Sequence, residues 1–203
     1  MVLTGCQSAY YGAMEKVGVH KRDILVDRVD DARDAQSDAQ EEFKSALQRL
    51  DELLQFDGGE LEARYNALND DYESSKSAAE RVYDRIEAID DVAQALFDEW
   101  QDEIEQYSSN TLRRQSQAKL KNTQRKYQSL LKSMHRAQNK MSPVLAALKD
   151  NTLYLKHNLN ARAIGALQGE YKNIKRDVEV LVKEMNIAIS QSEEFIQLLQ
   201  VEQ

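Results

Sequence analysis

Hydrophobic and small residues recur along most of this chain in steps that alternate between four and three. The longest series spans residues 61–100, and no Gly or Pro interrupts it. Such a series is a heptad seam of about 3.5 residues per turn, a period that a strand cannot use. It predicts a long helix packed against other long helices. The seam positions are Leu61, Tyr65, Leu68, Tyr72, Ser75, Ala79, Val82, Ile86, Ile89, Ala93, Leu96 and Trp100.

Three further seams predict three more helices. Asp23 would be the N-cap of the first, and Gly58 and Gly59 would end it. Pro143 lies inside the third, where its missing N–H predicts a kink or a short break. The seams are Leu25, Val29, Ala32, Gln36, Ala39, Phe43, Ala46, Leu50, Leu53; then Leu120, Thr123, Tyr127, Leu130, Met134, Ala137, Met141, Val144, Leu148; and Ile164, Leu167, Tyr171, Ile174, Val178, Leu181, Met185, Ala188, Ser192, Phe195, Leu199.

The seams together predict an all-α fold: an elongated antiparallel helical bundle or coiled coil of three to four long helices. We expect helices at about residues 23–56, 60–107, 111–157 and 161–200. Residues 1–22 would form a tether, and residues 23–203 one elongated domain. Ser108 and Ser109 supply N-cap chemistry in a polar patch, which predicts a tight hairpin tip there. The alternative is one unbroken helix through that patch.

Composition agrees with an elongated helical protein. Apolar residues make up 41% of the 203 residues and charged residues 31%, with one Pro. Such a chain has a narrow buried seam and much solvated surface. No run approaches the roughly 18 apolar residues of a membrane-spanning helix.

The charges are unevenly distributed. Residues 57–105 carry a net charge of −12, and residues 111–157 carry +10. If the chain folds back at residues 109–110, residue i faces residue 219 − i, and the two arrays would specify partner and register. The predicted pairs are Arg113–Glu105, Arg114–Asp102, Lys119–Glu99, Lys121–Asp98, Lys132–Glu87, Arg136–Asp84, Lys140–Glu80 and Lys149–Asp70.

The basic cluster at the start of the third helix is the best candidate for an anionic partner, whether phospholipid, lipopolysaccharide or nucleic acid. The alternative, which the predicted pairing favours, is neutralisation by the second helix. Nucleic acid is therefore disfavoured as a partner. The cluster consists of Arg113, Arg114, Lys119, Lys121, Arg125 and Lys126.

Motifs for catalysis or cofactor binding are missing from the sequence. His20, His135 and His157 are scattered without metal-ligand spacing, and no P-loop or dinucleotide fingerprint occurs. Paired acids such as Asp30 and Asp31 point about 100° apart on a helix and are typical of a solvated face. Most aromatic residues lie on or next to a seam and are expected in the core. We therefore expect no metal, no cofactor and no enzymatic activity.

A stripe of small residues begins the fourth helix. Ala161, Gly165 and Gly169 are spaced by four, which places them on one face. The stripe predicts close approach of a neighbouring backbone. Charged neighbours disfavour a membrane-dimer motif.

The N-terminus contains one further motif. The residues Leu3, Thr4, Gly5 and Cys6 resemble a bacterial lipobox, in which the Cys becomes the lipidated first residue of the mature chain. Cys6 is the only cysteine, so an internal disulfide is excluded. Only five uncharged residues precede it, which departs from a complete signal peptide and predicts a truncated signal. In enterobacterial-type sorting, the Gln7 that follows would suggest the outer membrane.

With this lipobox, residues 14–29 (MEKVGVHKRDILVDRV) and 161–169 (ARAIGALQG), the chain resembles a domain-of-unknown-function family of all-helical Gram-negative envelope proteins. The resemblance covers nearly the whole chain and implies a fold and a location, but no activity.

Two functional hypotheses follow. The first is a lipid-anchored coiled-coil scaffold on the periplasmic face of the outer membrane, attached at Cys6. The second is a cytosolic coiled-coil adaptor that binds nucleic acid or anionic membrane through the basic helix 113–140. A homo-oligomer is compatible with both, and neither names a protein partner.

Overall fold

The computed structural model describes Met14 and residues 20–55, 61–158 and 161–201. Within these residues the chain forms four long helices and no strand, which confirms the all-α prediction. The helices are α1 (Lys21–Leu54), α2 (Leu61–Gln106), α3 (Asn110–His157) and α4 (Ala161–Val201).

The four helices form a closed antiparallel bundle. Helix α1 packs against α2 and α4, and α3 packs against the same two helices. Lys21, at the start of α1, pairs with Glu99 near the end of α2 at 3.1 Å. Arg49, near the end of α1, pairs with Asp71 near the start of α2 at 3.1 Å. The start of α1 and the α2–α3 turn therefore lie at one end of the bundle, which we call the turn end.

The predicted seams form the core. Every seam residue of α1 and α3 is buried, including the polar Gln36 and Thr123. The exceptions on the other helices are aromatic or terminal positions, which are half-buried: Leu61, Tyr65, Tyr72 and Tyr171. Because the seams of neighbouring helices interdigitate along their whole length, the core is a continuous line of side chains.

The hairpin between α2 and α3 is confirmed, and an unbroken helix is wrong. Residues 107–109 are not helical, and the Ser109 hydroxyl accepts a hydrogen bond from the Leu112 N–H at 3.4 Å. The Trp100 indole donates to Ser116 at 2.8 Å across the hairpin. The predicted register places residue 119 opposite Trp100, so the observed partner Ser116 lies three residues from the predicted position.

Two local predictions about helix ends and breaks require correction. Asp23 is not the N-cap of α1, because the helix already begins at Lys21. Asp23 instead accepts a hydrogen bond from the backbone N–H of His20 at 3.4 Å. Pro143 does not break α3, which continues through it. Its ring lies on the exposed side, where water can satisfy the carbonyl that loses its donor. Gly58 and Gly59 lie outside the described residues.

The prediction of a close backbone approach at the glycines of α4 is wrong. A methyl group added at Gly165 or Gly169 would meet no other atom within 4 Å. Both positions are exposed, while Ile164 and Leu167 beside them are buried. The small residues therefore lie on the solvent face, and the apolar seam makes the contact.

Candidate functional site: the basic face of the third helix

The outer surface of α3 carries a straight line of cations. Arg114, Lys121, Arg125 and Lys132 are separated by seven, four and seven residues, and all are exposed. At about 100° per residue, these steps bring each side chain back to nearly the same direction, opposite the buried seam. We call these four residues the basic stripe. At about 1.5 Å per residue, it extends over roughly 27 Å.

The charge pairs predicted across the hairpin do not form. All members of the eight predicted pairs lie in the described part of the chain, and none of those pairs comes within 4.0 Å. Where cations of α3 do pair with acids, the acids belong to α4. Arg136 reaches Glu184 at 3.1 Å, and Lys126 approaches Glu194 at 3.9 Å. No acid of α2 in the described part of the chain therefore forms an ion pair with the basic stripe.

The reason is the direction of the side chains. The most exposed acids of α2 lie on the side opposite its own buried seam, so they also point away from the bundle. Outward directions of neighbouring helices in a four-helix bundle differ by about a right angle. These outward acids and the basic stripe therefore diverge, although the helices that carry them are adjacent, whereas Glu87 and Asp90 line the groove between the two helices. The outward acids of α2 are Glu73, Glu80, Asp84, Asp91, Asp98 and Asp102.

The predicted cluster divides into residues with different roles. Arg113 is half-buried, and its Nη2 donates to the Tyr107 carbonyl at 2.6 Å. This contact holds the α2–α3 turn and removes Arg113 from the outer surface. Lys119 and Lys126 are exposed, but at about 100° per residue they lie on a different side of α3 from the basic stripe, and Lys126 faces α4. Lys132 was missing from the predicted cluster. It follows Arg125 by seven residues, the same step that separates Arg114 from Lys121, so the sequence contained the signal that would have added it.

The basic stripe has no carboxylate partner among the described residues. Arg114 donates to the Asn110 carbonyl at 3.3 Å within its own helix, and Arg125 to the side chain of Asn122 at 3.3 Å. Neither contact neutralises a charge. The four cations can therefore attract anionic groups from outside the molecule.

An open groove of about 470 Å³ lies between α2 and α3, beside the basic stripe. Tyr127 donates to Asp90 at 2.6 Å, and burial together with this carboxylate raises the pKa of Tyr127. The Tyr127 ring also contacts Phe97 at 5.4 Å between centroids. His135 is bonded through Nδ1 to Gln138 at 2.8 Å. The Tyr127–Asp90 contact thus joins α2 to α3, whereas the His135–Gln138 contact lies within α3.

The aromatic residues follow the core prediction in part. Trp100 and Tyr127 are buried, while Tyr107 and Tyr154 are exposed. At the turn end, the guanidinium of Arg22 lies 5.5 Å from the Trp100 ring centroid. This cation–π contact packs the first turn of α1 against α2.

The bundle contains neither a metal cluster nor a membrane span among the described residues. Among the described side chains, no three His, Cys, Asp or Glu residues are placed so that they could hold a metal ion. None of the helices, over their described length, is both long and apolar enough to cross a membrane. Cys6, the predicted lipid attachment site, lies outside the described residues.

Comparison with known proteins assigns the chain to a protein family. The model of a family described as "Protein of unknown function (DUF2959)" matches residues 10–199. The chain belongs to this family. The DUF2959 match includes all four helices almost entirely, so the family's unit is the whole bundle. It confirms the resemblance to a domain-of-unknown-function family. No curated protein and no solved structure matches the chain.

Proposed function

We propose that this protein is a lipid-anchored helical scaffold on the periplasmic face of the outer membrane, without catalytic activity of its own. Acylation of Cys6 would provide the anchor, and the bundle would provide the interaction surface. The lipobox-like residues Leu3 to Cys6 support the anchor. Because a single acyl chain binds a membrane only marginally, firm anchoring would need the multiple acyl groups of lipoproteins.

One structural observation carries this proposal. The first residues of α1 lie at the turn end of the bundle, where Lys21 pairs with Glu99. The chain therefore enters α1 at the turn end of the bundle. An anchor attached there would hold a rigid body about 70 Å long, given the 48 residues of α3. The long faces that do not contact the membrane would remain available for binding, as a scaffold requires.

Expression of the gene from its own locus in its native cell tests the proposal. Wild type and Cys6→Ala would be compared by membrane fractionation and intact mass, with Ser8→Ala as a matched control. We expect wild type and Ser8→Ala to carry an acyl mass at outer-membrane density, and Cys6→Ala to lose both. Soluble wild-type protein with an unmodified Cys6 would disprove the anchor.

The second candidate is a cytosolic adaptor that binds nucleic acid or anionic membrane through α3. It is favoured by the basic stripe, whose four cations have no carboxylate partner in the described part of the chain. Unacylated protein with strong, salt-sensitive DNA binding would support this candidate over the scaffold.

A further inference from the structure

The bundle has a pronounced transverse charge asymmetry. Helix α3 contains eleven basic residues and one acidic residue, whereas α2 contains fourteen acidic and four basic residues. The basic stripe of α3 and the outward acids of α2 are exposed on these adjacent helices. A planar anionic surface would attract the face of α3 and repel the face of α2. Such a surface would therefore fix the rotation of the bundle about its long axis.

The surface around the basic stripe is mainly polar, with the exposed Leu112 at its beginning and the half-buried Leu131 beside Lys132. No large apolar side chain is exposed between residues 113 and 152, all of which are described. The exposed positions among the cations are small or polar: Ala118, Gln128 and Ser129. Protein–protein interfaces have cores that are depleted in charge and enriched in aromatic residues. A face of this kind fits mobile anionic groups better than it fits a second folded protein.

The basic stripe also begins at the end where the anchor would be attached. Arg114 lies one turn into α3, beside the α2–α3 turn, and the chain enters α1 at that same turn end. A tether that holds the bundle at a bilayer makes stripe contacts intramolecular, which raises their effective concentration. Lipid plus basic cluster is a combination that produces stable membrane attachment.

We propose that the basic stripe binds anionic phospholipid headgroups, so that α3 lies along the bilayer surface and the acidic face of α2 points away from it. This inference rests on the proposed function, because the Cys6 anchor brings the bundle to a membrane. The bound partner is the phosphate-bearing headgroup layer of a bilayer.

Vesicle binding by the full-length Cys6→Ala protein tests the stripe without any acyl chain. The probes are vesicles of phosphatidylcholine with phosphatidylglycerol, and vesicles of phosphatidylcholine alone. We expect binding only to the anionic vesicles, with a loss on raising the salt concentration. Each Lys or Arg near an anionic surface contributes roughly a fivefold gain in binding.

A matched pair of variants locates the effect. In the first, Lys121, Arg125 and Lys132 are all changed to Gln; in the second, Lys172, Lys175 and Lys183 on α4 are changed to Gln. Both sets are exposed, and both variants lose three positive charges. We expect roughly 100-fold weaker vesicle binding for the first and less than fivefold for the second. Equal losses would overturn the stripe as the binding site, and so would absence of binding by the parent.

Two further results would overturn the assignment to lipid. The first is equal binding to neutral vesicles. The second is tighter, stripe-dependent binding to a DNA duplex than to anionic vesicles. The anchor is tested separately by the acyl mass of Cys6. Stripe-dependent vesicle binding with an unmodified Cys6 would therefore support this inference and reject the anchor. If wild type is acylated but the Cys6→Ala protein does not bind anionic vesicles, the anchor is supported and this inference is rejected.

Discussion

Tyr127 on α3 donates a hydrogen bond from its phenol to a carboxylate oxygen of Asp90 on α2, and the two oxygens are 2.6 Å apart. Tyr127 is buried, with Phe97 at its edge and Phe195 of α4 at 6.1 Å between centroids. Asp90 itself is exposed. One side chain thus connects three helices, with its polar end at the surface of the groove.

This contact predicts a dependence of stability on alkaline pH. Burial and the Asp90 carboxylate raise the pKa of Tyr127 above its ordinary value of 10.0. The stabilisation is therefore complete below about pH 10 and is lost as pH rises further, because the unfolded chain then releases the phenolic proton first. The loss should approach about 1.4 kcal/mol per pH unit for this one group. Burial raises the pKa of Tyr171 to about 12, with help from Asp51, and adds a smaller effect of the same sign.

Urea unfolding at about pH 8 and about pH 11 would measure the effect. Tyr127→Phe should be less stable by about 1 kcal/mol at the lower pH and should lose less stability than wild type at the higher pH. Tyr107→Phe, at an exposed position, is the control and should follow wild type. A Tyr127→Phe variant with the wild-type alkaline loss would contradict this explanation.

Replacement of the buried Gln36 by an apolar residue should stabilise the core. Its side chain is fully buried in α1, and neither its amide nitrogen nor its amide oxygen has a hydrogen-bond partner within the described protein. An unbonded buried amide costs about 1–3 kcal/mol, so Gln36→Met should raise the free energy of unfolding by an amount in that range.

Gln40, one turn later, is the matched control. It is also buried, but its amide donates to Asn186 at 2.9 Å. Gln40→Met should therefore lower stability. Chemical denaturation would measure the free energy of unfolding of both variants and of wild type. A loss of stability for Gln36→Met would show that its amide is hydrogen-bonded in solution.

Substitution of Gly165 or Gly169 on the surface of α4 by Ala should increase the stability of the protein. Each lies inside a helix with open space where a methyl group would be added. Because Ala is favoured over Gly by about 1 kcal/mol in a helix interior, each substitution to Ala should stabilise the protein by up to that amount. Thermal unfolding of the single and double variants would measure the gain. The two sites are one helical turn apart, so the double variant also measures the coupling between them, and any destabilisation would indicate a contact formed by this face.

Substitutions of the adjacent residues Arg113 and Arg114 should have different effects on stability. Arg113→Gln removes the 2.6 Å hydrogen bond to the Tyr107 carbonyl and should cost about 1 kcal/mol. Its Nε is buried without a partner, which offsets part of the gain from that bond. Arg114→Gln removes only an exposed contact within the helix and should be nearly neutral for stability. Equal melting temperatures for the two variants would rule out a role for Arg113 in holding the turn.

The sequence alone determined the helices and their buried faces. The seam from Leu25 to Leu53 is buried throughout, and the polar patch around Ser109 is the turn. These predictions were confirmed because heptad spacing and capping chemistry are local: they depend on residues within one or two turns of each other. The two halves of the hairpin also face each other near the predicted register, because the seam of each helix allows few alignments.

Only the tertiary structure decided which charges meet. Arg136 was predicted to pair with Asp84 of α2 but reaches Glu184 of α4. The sequence places opposite charges on neighbouring helices, but pairing depends on the angle between their outward faces, which the packing of all four helices sets. The same packing leaves Gly165 and Gly169 at the surface and gathers Arg114, Lys121, Arg125 and Lys132 into one exposed line. Periodicity along a helix is encoded locally, whereas the surroundings of each face depend on contacts between residues far apart in the chain.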